Sequence, residues 1–339
     1  AWILAASDNL SVTSNRKIFY NISGTTKRLN IKDLKDSVTF ASNYIILEIF
    51  YSGGSTALQS YALGDIEISI EKASSDSAVK KKVVCFGDSL TAGNYPTYLQ
   101  TLLGSNYEVV NQGIGGQGKG AILQRLGSIP VKVTTAFNLP ATSSESVDIN
   151  IDTGLTYFDE AKYTPCYILG RKCTFKKVDS STARISTYDN IGHSVPVAVG
   201  TQVILQASTK YRNPGWVIIW TGTNGGTGDV SSFVNQMKAA AEYMNTQNII
   251  VINPHTEVNT ALDTALLNAF TNRFFNWRVY GATSLMYEYG LTPTETDLSY
   301  MAQGLLPSTI LNSDRVHLTD QGLHILADKL YQLIVALGG

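Results

Sequence analysis

The segment KVVCFGDSLTAGN, from Lys82 to Asn94, joins a run typical of a buried strand to an abrupt turn. Its four apolar residues, Val83 to Phe86, do not alternate with polar ones, as is common in strands covered on both faces of a sheet. Ser89 follows shortly afterwards, so it lies just past the carboxyl end of the predicted strand. Open parallel α/β sheets bind their ligands at that edge. A serine there can instead cap the following helix, and the rest of the chain has to decide between the two roles.

Strands and helices alternate along the chain after this segment, apart from an interruption between residues 129 and 208. The apolar runs WVIIW, at 216–220, and NIIVIN, at 248–253, are typical of further buried strands. Residues 231–244 and 319–337 place their apolar side chains on one helical face. Alternation of this kind predicts a parallel sheet covered by helices on both faces. We therefore assign residues 80–128 and 209–339 to one α/β domain.

Two other regions of the chain are β-rich and show no amphipathic helix. Residues 1–79 contain apolar and alternating runs between Gly and Ser clusters, which predict an antiparallel N-terminal domain. Residues 129–208 contain short β-like runs separated by turn residues, and they predict an inserted β domain. The triplet Lys80–Lys82 is interpreted as a solvated linker at the boundary between the N-terminal and α/β domains.

Composition narrows the function classes. The 26 Lys and Arg residues nearly balance the 27 Asp and Glu residues, so no basic excess indicates nucleic-acid binding. No apolar run reaches the ~18 residues that a membrane-spanning helix needs. Three cysteines are too few for a disulfide framework. Cys85 is expected in the core, whereas Cys166 and Cys173 could face each other across two strands in either redox state.

A serine hydroxyl becomes a useful nucleophile only when a nearby base removes its proton. The chain offers four histidines for that role: His193, His255, His317 and His324. His193 lies in the predicted insertion and His324 within the final helix, so neither is favoured. His255 follows a predicted strand and lies on the same sheet edge as Ser89, so it stays a candidate.

His317 has the more favourable context. It lies in SDRVHLTDQG, just before the last helix, and Asp314 precedes it by three residues. A carboxylate at that spacing can reach the imidazole, hold its tautomer and stabilise the imidazolium. The alternative is that Asp314 caps a turn and His317 only packs there. The presence of Ser89 makes the catalytic interpretation the better one.

Ester hydrolysis also requires hydrogen-bond donors directed at the developing oxyanion. The segment YEVVNQGIGGQGKG, at 107–120, leaves a predicted strand for a glycine-rich loop, where missing Cβ atoms allow backbone N–H groups to approach a ligand. The segment WVIIWTGTNGG, at 216–226, presents the side-chain amide of Asn224. Each loop alone is a weak indication, but both leave strands at the edge where Ser89 lies.

The motifs FGDSLTAG, VVNQGIGGQG, TGTNGG and DRVH, in this order, resemble the four blocks of the SGNH (GDSL) hydrolase family. The resemblance covers residues 80–128 and 209–339. It implies a flavodoxin-like three-layer α/β/α core. By the same resemblance Ser89 is the nucleophile, His317 the general base and Asp314 the acid that orients it.

The family resemblance also implies an oxyanion hole. Its donors would be the backbone N–H groups of Ser89 and Gly116 and the side-chain amide of Asn224, with Gly115 as the alternative glycine. One departure is that Asn224 is followed by Gly225, where the family usually has Asp. The resemblance implies that neither a metal nor a cofactor is needed, and the sequence contains no His/Cys cluster with metal-ligand spacing.

The family hydrolyses several classes of ester, so its motifs do not identify the substrate. With two β-rich regions added, the arrangement resembles carbohydrate O-deacetylases found among secreted bacterial enzymes and phage tail proteins. This implies removal of acetyl groups from a polysaccharide in an extracellular, secreted or virion-associated setting, with oligomerisation possible through the N-terminal domain. The alternatives are a short-chain lipid esterase or thioesterase, and a non-catalytic glycan-binding or adhesion protein.

Overall fold

The computed structural model describes residues 80–152 and 164–339, together with five short strands within the first 79 residues. The chain divides into two compact units, Ala1–Lys72 and Ala73–Gly339. The described strands of the first unit are β1 (Trp2–Ala5), β2 (Leu10–Ser11), β3 (Ile18–Tyr20), β4 (Thr39–Phe40) and β5 (Glu48–Tyr51). Strand β1 pairs antiparallel with β3 and β5, and β2 pairs antiparallel with β4. The remainder of the predicted N-terminal domain lies outside the described residues.

The second unit begins with the strand that precedes Ser89. Its first elements are β6 (Lys81–Gly87), α1 (Ser89–Ala92), α2 (Tyr95–Leu103), β7 (Tyr107–Gly113) and α3 (Lys119–Leu126). Strand β6 is longer than its apolar core because Lys81 and Lys82 pair with Tyr107 and Glu108 of β7. The Lys82 and Glu108 side chains also form an ion pair at 3.7 Å. The linker interpretation was therefore wrong for these two lysines, which belong to the sheet.

An antiparallel β region follows α3, as predicted for the insertion. Its elements are β8 (Val131–Lys132), β9 (Phe137–Leu139), β10 (Val147–Asn150), β11 (Thr164–Ile168), β12 (Arg171–Lys177), β13 (Thr182–Thr187), β14 (Val195–Val197), β15 (Gln202–Leu205) and the short helix α4 (Gln206–Lys210). Six strands form one sheet in the order β10-β13-β12-β11-β15-β8, and β14 pairs with β9. Alternate residues of β12 and β13, such as Phe175 and Ile185, enter one buried apolar cluster. This cluster gives the insertion a core largely of its own.

The α/β pattern resumes after the insertion. Its elements are β16 (Trp216–Trp220), α5 (Val230–Met244), β17 (Ile249–Ile252), α6 (Thr260–Phe270), β18 (Phe274–Phe275), α7 (Trp277–Tyr280), α8 (Met286–Glu288), α9 (Glu295–Ala302) and α10 (Asp320–Ala336). Residues Gly281–Leu285 form a π-helical segment between α7 and α8, and Ser308–Ile310 form a 3-10 turn after α9.

The core sheet has five strands in the order β18-β17-β16-β6-β7, and every neighbouring pair is parallel. Strand β6 shows why the apolar run does not alternate with polar residues. Val83 and Cys85 belong to one apolar cluster, with α2 and α10, whereas Val84 and Phe86 belong to the other, with α3, α5 and α6. The sheet is therefore covered by helices on both faces, and the predicted three-layer α/β/α architecture is confirmed.

Candidate active site

Ser89 begins α1, directly after the tight buried turn at Asp88 that follows β6. Asp88 is the N-cap of α1, because its Oδ1 accepts a hydrogen bond from the Leu90 N–H at 3.0 Å. Ser89 is the first helical residue, so the N-cap role considered for it belongs to its neighbour. A Cβ atom on Gly87 would lie 2.0 Å from Thr91 Oγ1 and 2.6 Å from the Trp220 carbonyl oxygen. The glycine of the motif is therefore required by close packing around the turn.

The acid–base loop, residues 311–318, lies between the 3-10 turn and α10. An isolated antiparallel bridge between Leu311 and Leu318 closes it. The Asn312 N–H donates to the His317 carbonyl oxygen at 2.7 Å. Asp314 Oδ1 accepts hydrogen bonds from the backbone N–H groups of Val316 and His317, both at 2.9 Å. The loop is thus held by bonds formed almost entirely within itself.

The fold brings Ser89, His317 and Asp314 together in hydrogen-bonding contact. His317 Nε2 lies 2.8 Å from Ser89 Oγ, although the two residues are 228 positions apart in the chain. On the other side of the ring, His317 Nδ1 lies 2.6 Å from Asp314 Oδ2. Hydrogen bonds from the His317 ring and from two backbone N–H groups lower the pKa of Asp314 to about 2. The carboxylate is therefore ionised at neutral pH and available to orient the ring.

The predicted oxyanion loops meet beside this turn. A Cβ atom on Gly115 would lie 3.9 Å from Ser89 Cβ, so this glycine lies beside Ser89. Gly116, the next residue, has a φ of 75°, in the left-handed region that favours glycine. Asn224 Nδ2 donates to the Gln117 carbonyl oxygen at 3.2 Å, which joins the loop after β16 to the loop after β7. The loops that carry Gly116 and Asn224 therefore contact each other, and the roles of these two residues as donors stay a prediction.

His255, the other candidate base, has a different position. It is 2% exposed, and its Nε2 donates to the Val316 carbonyl oxygen at 2.8 Å. Burial lowers the pKa of His255 to about 4, which leaves the ring neutral at neutral pH. His317 contacts the Ser89 hydroxyl, whereas His255 supports the residue that precedes His317. The sequence placed His255 at the correct sheet edge and favoured His317 over it, but it did not predict that His255 lies beneath the acid–base loop.

Asp88 was not singled out by the sequence. Its side chain is fully buried, and its Oδ2 has no hydrogen-bond partner among the described residues. Burial raises the pKa of Asp88 to about 6, although the bond from Leu90 and the nearby His317 lower it. A titratable carboxyl group is therefore buried directly beside Ser89.

A cleft of about 250 Å³ opens at Ser89 and His317. Its other lining residues come from α1 and its end, from the acid–base loop and from α10: Leu90, Gly93, Asn312, Leu318 and Leu323. The walls are mainly aliphatic, and they can accept a small apolar part of a substrate. A wider groove of about 500 Å³ lies between residues 128–129 and α5, and no triad residue lines it. We place the site at the smaller cleft because that cleft contains the hydroxyl and the imidazole.

Several other observations bear on the sequence predictions. Cys166 and Cys173 lie directly opposite each other on β11 and β12, and both are buried free thiols. Cys85 is a buried free thiol in the core sheet. In residues 80–152 and 164–339, no group of three His, Cys, Asp or Glu side chains is placed to hold a metal ion. No helix in the described part of the chain combines the length and apolar character needed to cross a membrane.

Two buried polar residues at the oxyanion loop were not predicted from the sequence. Gln117 and Arg125 are both buried, and Arg125 donates to Gln117 Oε1 from Nε at 3.1 Å and from Nη2 at 3.0 Å. The only available signal was the presence of two long polar side chains around an otherwise apolar helical pattern. That signal does not distinguish an exposed pair from a buried one.

Searches against protein-family models and curated proteins found no match. Solved structures do show a distant likeness. A proposed lipolytic protein of the G-D-S-L family from Desulfitobacterium hafniense is 17% identical, with a TM-score of 0.34, over 75% of this chain and 99% of its own. A GDSL-like lipase from Bacteroides thetaiotaomicron is 15% identical, with a TM-score of 0.35, over 76% of this chain and 89% of its own. A proposed acylhydrolase from Bacteroides fragilis is 15% identical, with a TM-score of 0.35, over 77% of this chain and 91% of its own. The chain is thus similar, at a distance, to structures described as lipolytic proteins and acylhydrolases.

Proposed function

We propose that this protein is a serine esterase that uses Ser89, His317 and Asp314 as a catalytic triad. The observation that carries the proposal is the continuous hydrogen-bonded chain from Ser89 Oγ to His317 Nε2, at 2.8 Å, and from His317 Nδ1 to Asp314 Oδ2, at 2.6 Å. A hydroxyl, an imidazole and a carboxylate in this order are the arrangement that activates serine for acyl transfer.

In the first half of the reaction, Ser89 Oγ attacks the ester carbonyl carbon while His317 Nε2 takes the hydroxyl proton. Asp314 keeps the Nδ1–H tautomer and stabilises the imidazolium that forms. The tetrahedral intermediate then loses the alcohol, which leaves with the proton from His317 as the carbon–oxygen bond breaks. Water attacks the acyl-enzyme in the second half, its proton passing to His317, and Ser89 is regenerated as the carboxylic acid leaves.

Negative charge develops on the carbonyl oxygen in both tetrahedral intermediates. We assign its stabilisation to the backbone N–H groups of Ser89 and Gly116 and to the Asn224 amide, with Gly115 as the alternative glycine. This assignment is supported by the position of Gly115 beside Ser89 and by the contact of Asn224 with the same loop. Removing one such donor typically lowers kcat by about 10²–10³.

We further propose that the substrate is a short acyl ester, an O-acetyl group, on a polysaccharide. The aliphatic cleft of about 250 Å³ supports a small acyl group rather than a long chain. The His317 side chain is 42% exposed, so the alcohol that it protonates would leave toward open solvent. An open alcohol side accommodates a bulky, polar group such as a sugar. A polysaccharide substrate would place the protein in an extracellular, secreted or virion-associated setting.

Hydrolysis of p-nitrophenyl esters from acetate to laurate tests the proposal, with Ser89→Ala as the inactive control. We expect the highest kcat/KM on acetate and no activity in the variant above background. Acetylated polysaccharides would then be screened for released acetate. Preference for long chains would favour the lipid esterase or thioesterase, and equal rates for wild type and Ser89→Ala would contradict the triad. Glycan binding by an inactive wild type would favour the adhesion protein.

A further inference from the structure

Arg125 is a buried cation that the proposed reaction does not yet use. Arg125 is 3% exposed, and among residues 80–152 and 164–339 no carboxylate lies within ion-pair distance of its guanidinium group. The Phe86 ring lies 5.4 Å from the guanidinium carbon, but burial of a charge without a carboxylate partner is still unfavourable. Arg278 provides a contrast, because it is equally buried but forms an ion pair with Asp263.

The partners of Arg125 are parts of the proposed catalytic site. Its Nη2 donates to the Gly87 carbonyl oxygen at 3.2 Å, directly before the Asp88–Ser89 turn. The same group and Nε donate to Gln117 Oε1, in the loop that carries Gly116. One guanidinium therefore joins the nucleophile turn to the oxyanion loop.

The connection continues to the third loop. The main-chain carbonyl oxygen of Gln117 accepts the hydrogen bond from Asn224 Nδ2 at 3.2 Å. Gly87, Arg125, Gln117 and Asn224 thus form one chain of contacts that joins the loops after β6, β7 and β16. Burial lowers the pKa of Arg125 to about 9, so the guanidinium remains charged at neutral pH and keeps all its donors.

We propose that Arg125 is a positioning residue for ester hydrolysis, which holds the oxyanion loop at a fixed distance from Ser89 through its bonds to Gly87 and Gln117. This inference rests on the proposed esterase function. Oxyanion donors stabilise charge only when they are already in place, and displacement by about 1 Å can lower a rate by about 100-fold. The guanidinium suits the role because its planar donors can bind two acceptors at once.

The test compares Arg125→Met, Gln117→Leu and the double variant on p-nitrophenyl acetate, with Arg278→Met as a matched control. Arg125→Met removes the bonds but keeps a long apolar side chain. We expect kcat to fall about 10- to 100-fold with KM changed less than about twofold, because the oxyanion forms only in the transition state. Arg278→Met should lower the melting temperature while the folded enzyme keeps the wild-type kcat.

Coupling between the two residues provides a readout that a merely structural role would not produce. Because Arg125 and Gln117 act through one contact, the double variant should be no slower than the slower single variant. Arg125→Lys should recover part of the lost kcat, since lysine can still donate to one of the two acceptors.

Four results would overturn the inference: wild-type kcat in Arg125→Met, a loss confined to KM, additive losses in the double variant, or no recovery with lysine. A wild-type protein that hydrolyses no ester would overturn the proposed function and this inference together. An active wild type with an equally active Arg125→Met would overturn the inference alone.

Discussion

The nucleophile turn and the acid–base loop meet at one hydrogen bond but are held in different ways. In the nucleophile turn, Asp88 is buried, and Gly87 packs against Thr91 and the backbone of a neighbouring strand. In the acid–base loop, the side chains of Asp314 and His317 are 49% and 42% exposed, and bonds within the loop itself hold the carboxylate.

Because the two regions are held differently, substitutions in them should differ in their effects on catalytic rate and on folding stability. Packing of several strands and helices fixes the nucleophile, so changes there should affect folding and rate together. Local bonds fix the exposed acid–base loop, so changes there should lower the rate while the folded state persists. His255 is the exception on that side, because it is a buried residue that supports the exposed loop from below.

The largest effect is expected from Asp314→Asn. The amide can still accept the two backbone hydrogen bonds, but it cannot stabilise the imidazolium, so kcat should fall by roughly 10³–10⁴ with little change in melting temperature. The matched control is Asp179→Asn, because Asp179 Oδ1 accepts N–H bonds from Ser181 and Thr182, both at 2.8 Å, in a turn of the insertion. Asp179→Asn should keep the wild-type kcat, and wild-type kcat in Asp314→Asn would contradict the orienting role of its carboxylate.

His255→Phe should have the next largest effect. Phenylalanine keeps a ring in the buried site but removes the donor to the Val316 carbonyl oxygen, which leaves the acid–base loop less well placed. We expect kcat to fall about tenfold with KM nearly unchanged. His324→Phe is the control, because the His324 side chain is 57% exposed on α10. An unchanged kcat in His255→Phe would mean that the loop needs no support from beneath.

Gly93→Ala tests the cleft where the two regions face each other. Gly93 has a φ of −62° and a ψ of −177°, which alanine accepts. The new methyl group would lie 3.5 Å from Leu323 Cδ2 and occupy part of the cleft. The ratio of kcat/KM for hexanoate to that for acetate should fall about tenfold. Gly120→Ala, whose methyl group would meet no atom within 4 Å, should leave the ratio unchanged.

The pH dependence of the free energy of unfolding should have opposite signs in the nucleophile turn and beneath the acid–base loop. The pKa of Asp88 is raised from 3.8 to about 6, so its contribution to stability is present below pH 3.8 and lost as the pH rises through 6. The pKa of His255 is lowered from 6.5 to about 4, so its contribution is present above pH 6.5 and lost as the pH falls through 4.

Melting temperatures of Asp88→Asn and His255→Phe between about pH 4 and 7 would test this contrast against wild type. Asp88→Asn should gain stability relative to wild type as the pH rises, and His255→Phe should gain as the pH falls. Each change is limited to about 3 kcal/mol, since one pKa unit corresponds to about 1.4 kcal/mol. Plots of melting temperature against pH that run parallel for wild type and both variants would contradict the shifted pKa values of Asp88 and His255.

Local patterns in the amino-acid sequence were enough to predict the three-layer core, the inserted sheet and the candidates Ser89, Asp314 and His317. Period and length identify strands buried on both faces, and a spacing of three residues lets a carboxylate reach an imidazole within one turn of chain. The same reasoning did not assign Asp88 as the helix cap, because neighbouring Asp and Ser are both good capping residues.

Contacts between residues that are distant in sequence could be identified only from the tertiary structure. It showed how the two histidines differ, because His317 contacts Ser89 Oγ whereas His255 lies beneath the loop that carries His317. It also showed that Arg125 is buried beneath the loops. The sequence pattern around Arg125 would be the same if its side chain were exposed. Apolar periodicity and short spacings are properties of one segment, whereas burial of a charge and the 2.8 Å contact between Ser89 and His317 depend on how segments pack.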